Sequence, residues 1–241
     1  MTQTFERFEK KYLLDDKQFK MIKERLMNYV KPDAFYQSRI RSIYYDTDSN
    51  EMITRSIEKP EYKEKIRIRS YDEANDDDKI FVEFKKKFDG IVYKRRTKAL
   101  CKDVIDDIYT CQFADKQISD ELKYALSHYE HLHPSVYIGC NRTSFVSKDD
   151  SGLRITFDTD ITYRMNDLNL HSSVKDKPVT DKTVMELKVK DAIPLWLSEI
   201  LDEANAYPRG FSKVGTAYIN EMLEVRSWQT YLVLYSQIHL Q

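Results

Sequence analysis

The sequence predicts an α+β fold in which about eight antiparallel strands form a β-barrel and helices pack on its outside. Eight segments alternate between apolar and polar residues, with the period of two that is typical of strands. Six segments have the spacing of amphipathic helices; four lie between these strands and two follow the last one. The chain has 241 residues, 41% of them hydrophobic, which is enough for one large core, so we expect a single domain over residues 1–241.

The predicted elements follow from these two periods, taken in chain order. The predicted strands cover residues 5–12, 38–46, 62–71, 79–87, 90–98, 135–145, 153–163 and 183–190. The predicted helices cover residues 16–30, 48–57, 102–109, 119–129, 194–204 and 212 to about 234. The acidic stretch 72–78 separates two alternating segments and predicts a solvated turn between antiparallel strands. Many strands with helices inserted between them favour a barrel or a strongly curved sheet.

Charge and cysteine content exclude several classes of protein. Lys and Arg number 39 and Asp and Glu number 40, so the chain lacks the basic excess of a non-specific nucleic-acid binder, and we expect no nucleic-acid partner. The three cysteines form no CxxC pair, which argues against a disulfide scaffold or a zinc site. His128, His131 and His133 cluster without a carboxylate or cysteine at metal spacing and predict a solvated loop rather than a metal site.

Apolar runs point to a cytoplasmic protein. The first residues lack the apolar stretch of a signal peptide, and no run of about 18 apolar residues occurs. We therefore expect no membrane span and a cytoplasmic location. Trp196 and Trp228 lie on helical patterns and predict helix-packing anchors. The sequence does not predict an oligomeric state.

Alternation divides each strand into two faces, because successive side chains of a strand point to opposite sides. In 65–69, Ile66 and Ile68 share one face, and Arg67 and Arg69 share the other. The same division recurs in the other strands. The charged faces of these other strands carry Arg7, Glu9, Lys11, Glu83, Lys85, Lys87, Lys94, Arg96, Arg154, Asp158, Asp160, Glu186, Lys188 and Lys190.

Two interpretations of these charged faces remain open. Amphipathic strands with one face in water would show the same pattern. The helices, however, each carry an apolar stripe that must cover a sheet face, which leaves the charged faces for the inside. Many cations in such a bore would repel one another unless a polyanion bound there. The interspersed carboxylates could offset part of the charge or hold a divalent metal ion.

A chain of phosphates fits this pattern better than a planar carboxylate does. Arg makes bidentate contacts with phosphate oxygens, and Lys supplies point charges. The chain has no GxxxxGK[ST] or GxGxxG motif, which excludes phosphate binding by the usual Gly-rich loops. Ser212 and Lys213 follow Gly210 at the start of the last predicted helix. They could bind an anion at the helix N-terminus, or they could be a plain cap with an exposed lysine.

The ordered set of motifs resembles the VTC-type polyphosphate polymerase domain of the triphosphate tunnel superfamily. This superfamily also holds CYTH-type tripolyphosphatases and fungal RNA triphosphatases. The resemblance covers nearly the whole chain and implies a triphosphate-tunnel barrel. Its motifs are RFEKKY at 7–12, YYDT at 44–47, IRIR at 66–69, VEFKKK at 82–87, VYKRR at 92–96, NRTSF at 141–145, LRITFD at 153–158, MELK at 185–188 and FSK at 211–213.

The resemblance implies a set of site residues, a metal and substrates. The phosphate-binding residues would be Lys11, Arg67, Arg69, Lys85, Lys94, Arg142, Arg154 and Lys213, with Lys188 as a further electrostatic clamp. Arg142 and Lys213 rest mainly on the resemblance, whereas alternation selects most of the others independently. Glu186 would hold Mn²⁺ or Mg²⁺. The substrates would be ATP or another nucleoside triphosphate and inorganic polyphosphate.

One departure from the motifs of the superfamily bears on the type of reaction. CYTH-type hydrolases begin with ExExK, whereas positions 7, 9 and 11 here are Arg7, Glu9 and Lys11. Replacing the first Glu by Arg removes a possible metal ligand and adds a phosphate contact, which favours a polymerase that transfers the terminal phosphate of ATP to polyphosphate. Two alternatives stay open: a triphosphatase that uses water as the acceptor, and a non-catalytic polyphosphate-binding module. In a binding module, Glu186→Ala would leave anion binding intact.

Overall fold

The structure is a computed structural model that describes residues 8–58, 61–89, 91–111, 113, 115–129, 131–149, 151–190 and 192–239, with side chains as far as 226. The strands within these residues are β1 Phe8–Leu14, β2 Val30–Asp46, β3 Tyr62–Tyr71, β4 Lys79–Phe88, β5 Ile91–Leu100, β6 His133–Ser147, β7 Arg154–Arg164, β8 Lys177–Pro178 and β9 Thr183–Val189. The helices are α1 Asp16–Leu26, α2 Glu51–Glu58, α3 Cys101–Asp106, α4 Lys116–Leu126, α5 Leu195–Glu203 and α6 Lys213–His239.

All of these strands belong to one antiparallel sheet with the order β1-β9-β7-β6-β2-β3-β4-β5, and β8 pairs with β7. The sheet curls until its two ends approach each other: Lys85 on β4 lies close enough to Glu9 on β1 and Glu186 on β9 for their charges to act on its amino group. Within the described strands, no hydrogen-bonded ladder joins the edge strands β1 and β5. The predicted antiparallel, barrel-like α+β fold is therefore confirmed, with its circumference left unclosed.

The helices cover the convex side in two places. Against β2 to β5, α3 and α4 bury Val104 and Leu122 on an apolar surface that includes Ile66, Ile68 and Phe84. Against β1, β6, β7 and β9, α1 and α5 bury a second cluster made of Ile22, Leu26, Phe157, Leu187, Leu197 and Ile200. The apolar faces predicted from alternation therefore point outward, toward the helices.

Local sequence explains where the covering helix α1 begins. The Asp15 carboxylate accepts a hydrogen bond from the backbone of Gln18, and the Gln18 side chain accepts one from the backbone of Asp15, forming a capping box. The predicted packing role of Trp196 is borne out, because its ring stacks on Tyr29 at 4.2 Å between centroids. The side chain of Trp228 lies outside the described part.

A third apolar cluster closes part of the concave side. Ile53 of α2 and Val214 and Ala217 of α6 pack with inward-facing residues such as Ile138 and Val184. The segment before α6 also covers the free edge of β1, where the backbone N–H of Arg209 donates to the carbonyl of Lys11 at 2.8 Å. Along the strands, the concave side thus changes from apolar packing to charged side chains.

Element boundaries differ from the predictions where alternation fails. Strand β2 begins at Val30 rather than at 38, because Val30 to Pro32 pair with β6. The ladder is interrupted after Pro32 and resumes at Gln37 with a shifted register. The turn predicted for 72–78 is present between β3 and β4. The two-residue strand β8 carries no alternation that could have predicted it.

The remaining expectations concern cysteines, histidines and membranes. All three cysteines are free and buried. The ring of His133 contacts Asp48, His128 contacts the carbonyl of Tyr124, and the described residues contain no group of three or more His, Cys, Asp and Glu side chains that could hold a metal ion. No helix in the described part of the chain is long and apolar enough to cross a membrane.

Candidate functional site

Strand register places the charged faces of neighbouring strands side by side on the concave side of the sheet, which we call the bore. Arg67 on β3 lies opposite Glu83 on β4, and Glu83 lies opposite Arg96 on β5. Seven inward-facing charged residues near the middle of β3, β4 and β5 form what we call the basic wall. Its members are Lys65, Arg67, Arg69, Glu83, Lys85, Lys94 and Arg96.

Glu83 is the centre of the basic wall. Its carboxylate accepts from Arg67 Nε at 2.8 Å and from Lys94 Nζ at 2.9 Å, contacts Arg96, and lies 3.8 Å from Arg69. Its side chain is only 1% exposed. Burial would raise the pKa of Glu83, but the charges of Arg67, Arg69 and Lys94 hold it well below its usual range. One ionised carboxylate is therefore shared by four cations.

Lys65 and Lys85 carry the rest of the wall's positive charge. Lys65 donates to Ser212 Oγ at 3.0 Å, and burial together with the charges of Lys11 and Lys85 lowers its pKa to about 8. Burial also lowers the pKa of Lys85, and Glu9 partly opposes that effect. Within the described part of the chain, no carboxylate forms an ion pair with either amino group. The basic wall therefore has more positive than negative charge.

Tyr44 adds a titratable hydroxyl to this wall. It lies opposite Arg67 in the β2–β3 ladder, and its hydroxyl accepts from Arg67 Nη1 at 2.7 Å. Burial opposes ionisation of the phenol, but the charges of Arg67, Arg69 and Lys65 outweigh burial and lower the pKa of Tyr44 to about 7. Its ionisation near neutral pH would change the charge of the bore.

The opposite side of the bore carries both signs of charge, with each cation paired to a carboxylate, and we call it the mixed wall. It consists of Glu9, Lys11, Arg142, Arg154, Asp158, Glu186 and Lys188 on β1, β6, β7 and β9, joined by Lys213 of α6. Arg142 contacts both oxygens of Asp158, each at 2.6 Å, and Lys213 contacts the same carboxylate. Burial would raise the pKa of Asp158, but Lys213 and Arg142 keep it well below its usual range.

Helix α6 brings Lys213 to this position. Ser212 caps the helix by accepting from the backbone N–H of Gly215 at 3.1 Å. The same hydroxyl accepts from Lys65, and Lys11 Nζ donates to the carbonyl of Phe211 at 3.3 Å. The start of α6 thus joins both walls. Ser212 is a helix cap, as predicted, and Lys213 is directed at Asp158 rather than left in solvent.

Glu186 lies in the middle of the mixed wall. It pairs with Lys188 at 2.7 Å, and Lys11 lies opposite it in the ladder between β1 and β9. Burial would raise the pKa of Glu186, but Lys188, Lys11 and Arg142 lower it to about 2. Lys11 also pairs with Glu9 at 3.5 Å. Glu186 is therefore ionised at neutral pH, with a second carboxylate in reach of the same lysines.

Arg154 sits at the rim. Its guanidinium pairs with Asp33 at 2.7 Å and is 45% exposed. Lys94 is similarly accessible, at 44%. The members of the basic and mixed walls thus share one concave surface, from buried Arg69 to these rim positions.

Asp160 does not lie where alternation predicted. The register of β6 and β7 shifts between Gly139 and Asn141, and Asp160 has a φ of 48°. Its carboxylate accepts from Asn141 on the exposed surface, while Ile161 turns into the apolar cluster of the bore. A bulge inverts alternation beyond it, and sequence alone gives no sign of that inversion.

Sequence reasoning missed two bore residues. Lys65 has the same parity as Arg67 and Arg69, so the alternation contained a signal for it. Tyr44 gave no such signal, because a tyrosine on a barrel strand most often has a structural packing role. Arg7, the residue that departs from the ExExK pattern, lies outside the described residues.

The mixed wall has donors suited to a divalent ion. Mg²⁺ is typically held by one or two carboxylates together with substrate phosphates and water, so a dedicated cage of protein ligands is not required. Glu186 is ionised and partly accessible, and Glu9 acts electrostatically on the same lysine as Glu186 does. These carboxylates fit such an ion, although no cluster of three acidic or His/Cys ligands occurs among the described residues.

Comparison with known proteins agrees with this geometry. The model of the VTC domain family matches residues 6–222. A Bacillus halodurans protein provisionally assigned as an adenylate cyclase superposes with a TM-score of 0.54 at 13% identity, covering 85% of this chain and 92% of that one. A Vibrio parahaemolyticus protein with the same provisional assignment gives 0.48 at 8% identity, covering 90% and 99%. No curated protein matches the sequence.

The family match and the structural likeness answer different questions. The Bacillus halodurans likeness supports the tunnel fold, and the family match extends over most of the chain. The family match supports a triphosphate-tunnel family of phosphotransferases and hydrolases that generally use divalent metal ions. The chain belongs to the VTC domain family.

Proposed function

We propose that this protein is a polyphosphate polymerase-like phosphotransferase, which moves the terminal phosphate of ATP to a polyphosphate chain inside the bore. The observation that carries the proposal is the charge of the basic wall. Three adjacent strands direct six cations of the basic wall to one surface, where Glu83 is the one inward-facing carboxylate on the described residues of these strands. Such a surface binds a polyanion, since like charges held this close are stabilised by a ligand of opposite sign.

The basic wall binds and orients the phosphates. Arg67 and Arg69 supply planar guanidinium groups that suit bidentate contacts with phosphate oxygens, and Lys85 and Lys94 supply point charges. Glu83 holds Arg67, Lys94 and Arg96 in place before the substrate arrives. The cations therefore need little rearrangement in the transition state, which is the condition for effective electrostatic catalysis.

The mixed wall would hold the metal ion. Glu186, with Glu9 beside it, supplies the carboxylates, and the bound ion would neutralise charge on the phosphate oxygens. Lys11, Lys188 and Lys213 then face the same phosphates from the opposite side of the bore, with Arg142 and Arg154 beside them. Lys11, Arg142, Arg154 and Lys213 complete the proposed phosphate-binding set, and Lys188 acts as a further clamp.

The reaction needs no protein nucleophile. An ionised terminal oxygen of the acceptor phosphate forms the new P–O bond, and the bond between the γ-phosphorus and its bridging oxygen breaks, so that the electron pair leaves with ADP. No proton has to move, because the acceptor oxygen is already ionised. The protein contributes in-line positioning and charge neutralisation, which are the usual sources of catalysis in phosphoryl transfer.

Product analysis tests this proposal. Purified protein is incubated with ATP and Mn²⁺, and the products are resolved into ADP, free phosphate and long-chain polyphosphate. We expect polyphosphate in step with ADP, and loss of both in Arg67→Ala/Arg69→Ala. Arg95→Ala is the matched control, because Arg95 lies on β5 but pairs with Glu121 of α4 outside the bore. Free phosphate without polyphosphate would make water the acceptor, and binding without turnover would leave a polyphosphate-binding module.

A further inference from the structure

The basic wall continues past the bore toward the turn between β4 and β5. In register, Lys65 lies opposite Lys85, and the next inward-facing pair along the same strands is Lys63 and Lys87. Val92 on β5 completes that row. Since the rise along a strand is about 3.3 Å per residue, the added row lies roughly 6.6 Å beyond the last row of the bore.

Exposure differs between the two ends of this path on β3 and β4. Arg69 is buried, Lys63, Lys65 and Lys87 are partly exposed, and Val92 at the end is exposed. The charge of Lys63 acts on Lys65 and helps to lower its pKa, so the two amino groups belong to one electrostatic surface. A ligand that fills the bore would therefore meet further lysines of the same surface as it leaves.

The opposite face of the same strands has a different character. Tyr62 and Phe88 make an edge-to-face ring contact there, with centroids 6.4 Å apart. Glu64 also points to that side, where it accepts from Tyr129 at 2.8 Å and pairs with Lys86 at 3.7 Å. This buried carboxylate is thus committed to the convex side and does not neutralise the row on the bore side.

We propose that Lys63 and Lys87 form an extension of the phosphate-binding surface, which holds the part of a linear polyphosphate chain that protrudes from the bore. The extension rests on the proposed function, because it assumes that phosphates occupy the basic wall. It gives a long phosphate chain an additional site, which a triphosphate held in the bore is too short to reach. It would let the protein keep its hold on a growing product between rounds of transfer.

Binding measurements with two probes test the extension. Affinity for inorganic tripolyphosphate and for long-chain polyphosphate is measured by calorimetry for the unmodified protein, Lys63→Ala/Lys87→Ala and the control Lys86→Ala. Lys86 is adjacent in sequence but points to the convex side, over the Phe84 ring. We expect the double variant to lose about tenfold in affinity for the long chain and less than about twofold for tripolyphosphate, since two accessible charges contribute modestly each.

Salt dependence gives a second measurement. The slope of log affinity against log salt for the long chain should become shallower by about two in the double variant, because two fewer counterions are released. Charge reversal in Lys63→Glu/Lys87→Glu should lower long-chain affinity further still. Circular dichroism checks that each variant is folded.

The outcomes separate this inference from the proposed function. Equal losses for both probes, or no loss for the long chain, would overturn the extension while leaving the bore as a phosphate site. If tripolyphosphate and long-chain polyphosphate bind equally tightly to the unmodified protein, the extension is also wrong. Failure of both probes to bind at all would overturn the proposed function together with the extension.

Discussion

The two walls of the bore carry similar numbers of cations but differ in how those cations are paired. On the basic wall, Arg67, Arg69, Lys94 and Arg96 share the single carboxylate of Glu83. On the mixed wall, each cation has a carboxylate partner: Lys11 with Glu9, Lys188 with Glu186, Arg142 and Lys213 with Asp158, and Arg154 with Asp33. We infer that the basic wall attracts phosphates and that the mixed wall supplies the carboxylates for a metal ion.

The largest effect is expected from removing the guanidinium groups of the basic wall. Arg67→Ala/Arg69→Ala should lower turnover of ATP by about 10²- to 10³-fold, because preorganised charge at the transferring phosphate is lost. The same pair of changes should also weaken tripolyphosphate binding. Turnover is followed as ADP release with Arg95→Ala as the control. A double variant with the activity of the control would mean that the basic wall is not where phosphates bind.

The mixed wall should respond differently to the loss of the Glu186 carboxylate. We expect Glu186→Gln to lower turnover by about 10²-fold and to raise the Mn²⁺ concentration required, because it removes charge from the proposed metal site. Metal-free tripolyphosphate binding should be retained or strengthened, since a negative charge leaves the bore. Calorimetry with and without Mn²⁺ separates the two effects. If metal-free binding fell along with turnover, the proposed division between the walls would fail.

Glu83 tests the basic wall through stability. Glu83→Gln should lower the free energy of unfolding by roughly 3–5 kcal/mol, because removing one partner of a buried ion pair leaves its cations uncompensated. Chemical denaturation measures this loss, and saturating tripolyphosphate should restore part of it. Glu121→Gln, which removes the exposed partner of Arg95, is the control and should cost less than about 1 kcal/mol. Equal costs would show that Glu83 is not the centre of the wall.

The pH dependence of stability in acid should also depend on the Glu83 carboxylate. The pKa of Glu83 lies below its usual value of 4.5 in the folded protein, so its contribution to stability is complete above that value and is lost as the pH falls through the folded pKa. The unmodified protein should therefore lose stability more steeply on acidification below pH 4.5 than Glu83→Gln does. Thermal unfolding across this range measures both slopes.

The smallest effect concerns Tyr44. Its pKa of about 7 implies that raising the pH from 6 to 8 forms a phenolate beside Arg67, which adds negative charge to the basic wall. Tripolyphosphate affinity should fall by about two- to fivefold more across this range in the unmodified protein than in Tyr44→Phe. Lys94, with a pKa of about 8, extends the decline to higher pH in both proteins. Identical pH profiles would show that Tyr44 does not ionise in the bore.

Much of the fold and of the charged surface could be predicted from the sequence, because strand alternation is a strictly local property. The face that carries Arg67, the face that carries Glu83 and the face that carries Glu186 were all assigned by parity. Their apolar neighbours pack against helices on the convex side. The charged faces could therefore be assigned to the inside, because the apolar faces of the strands and of the helices must be buried against each other.

Features that depend on pairing between distant segments could not be predicted in this way. The bulge near Asp160 depends on how β7 pairs with β6, and the direction of Lys213 depends on where α6 enters the bore. The division into a basic and a mixed wall also depends on which strands are neighbours. Parity places a residue on a face, but only the strand order decides which charges share a carboxylate.

The most direct test of the division between the walls is a crystal structure with a non-hydrolysable ATP analogue and Mn²⁺, in which anomalous scattering locates the metal ion. We expect the triphosphate against Arg67 and Arg69, the Mn²⁺ peak beside Glu186, and both within the same bore. A triphosphate bound outside the bore, or a metal peak remote from Glu186 with the analogue present, would contradict the assignment of phosphate binding to one wall and metal binding to the other.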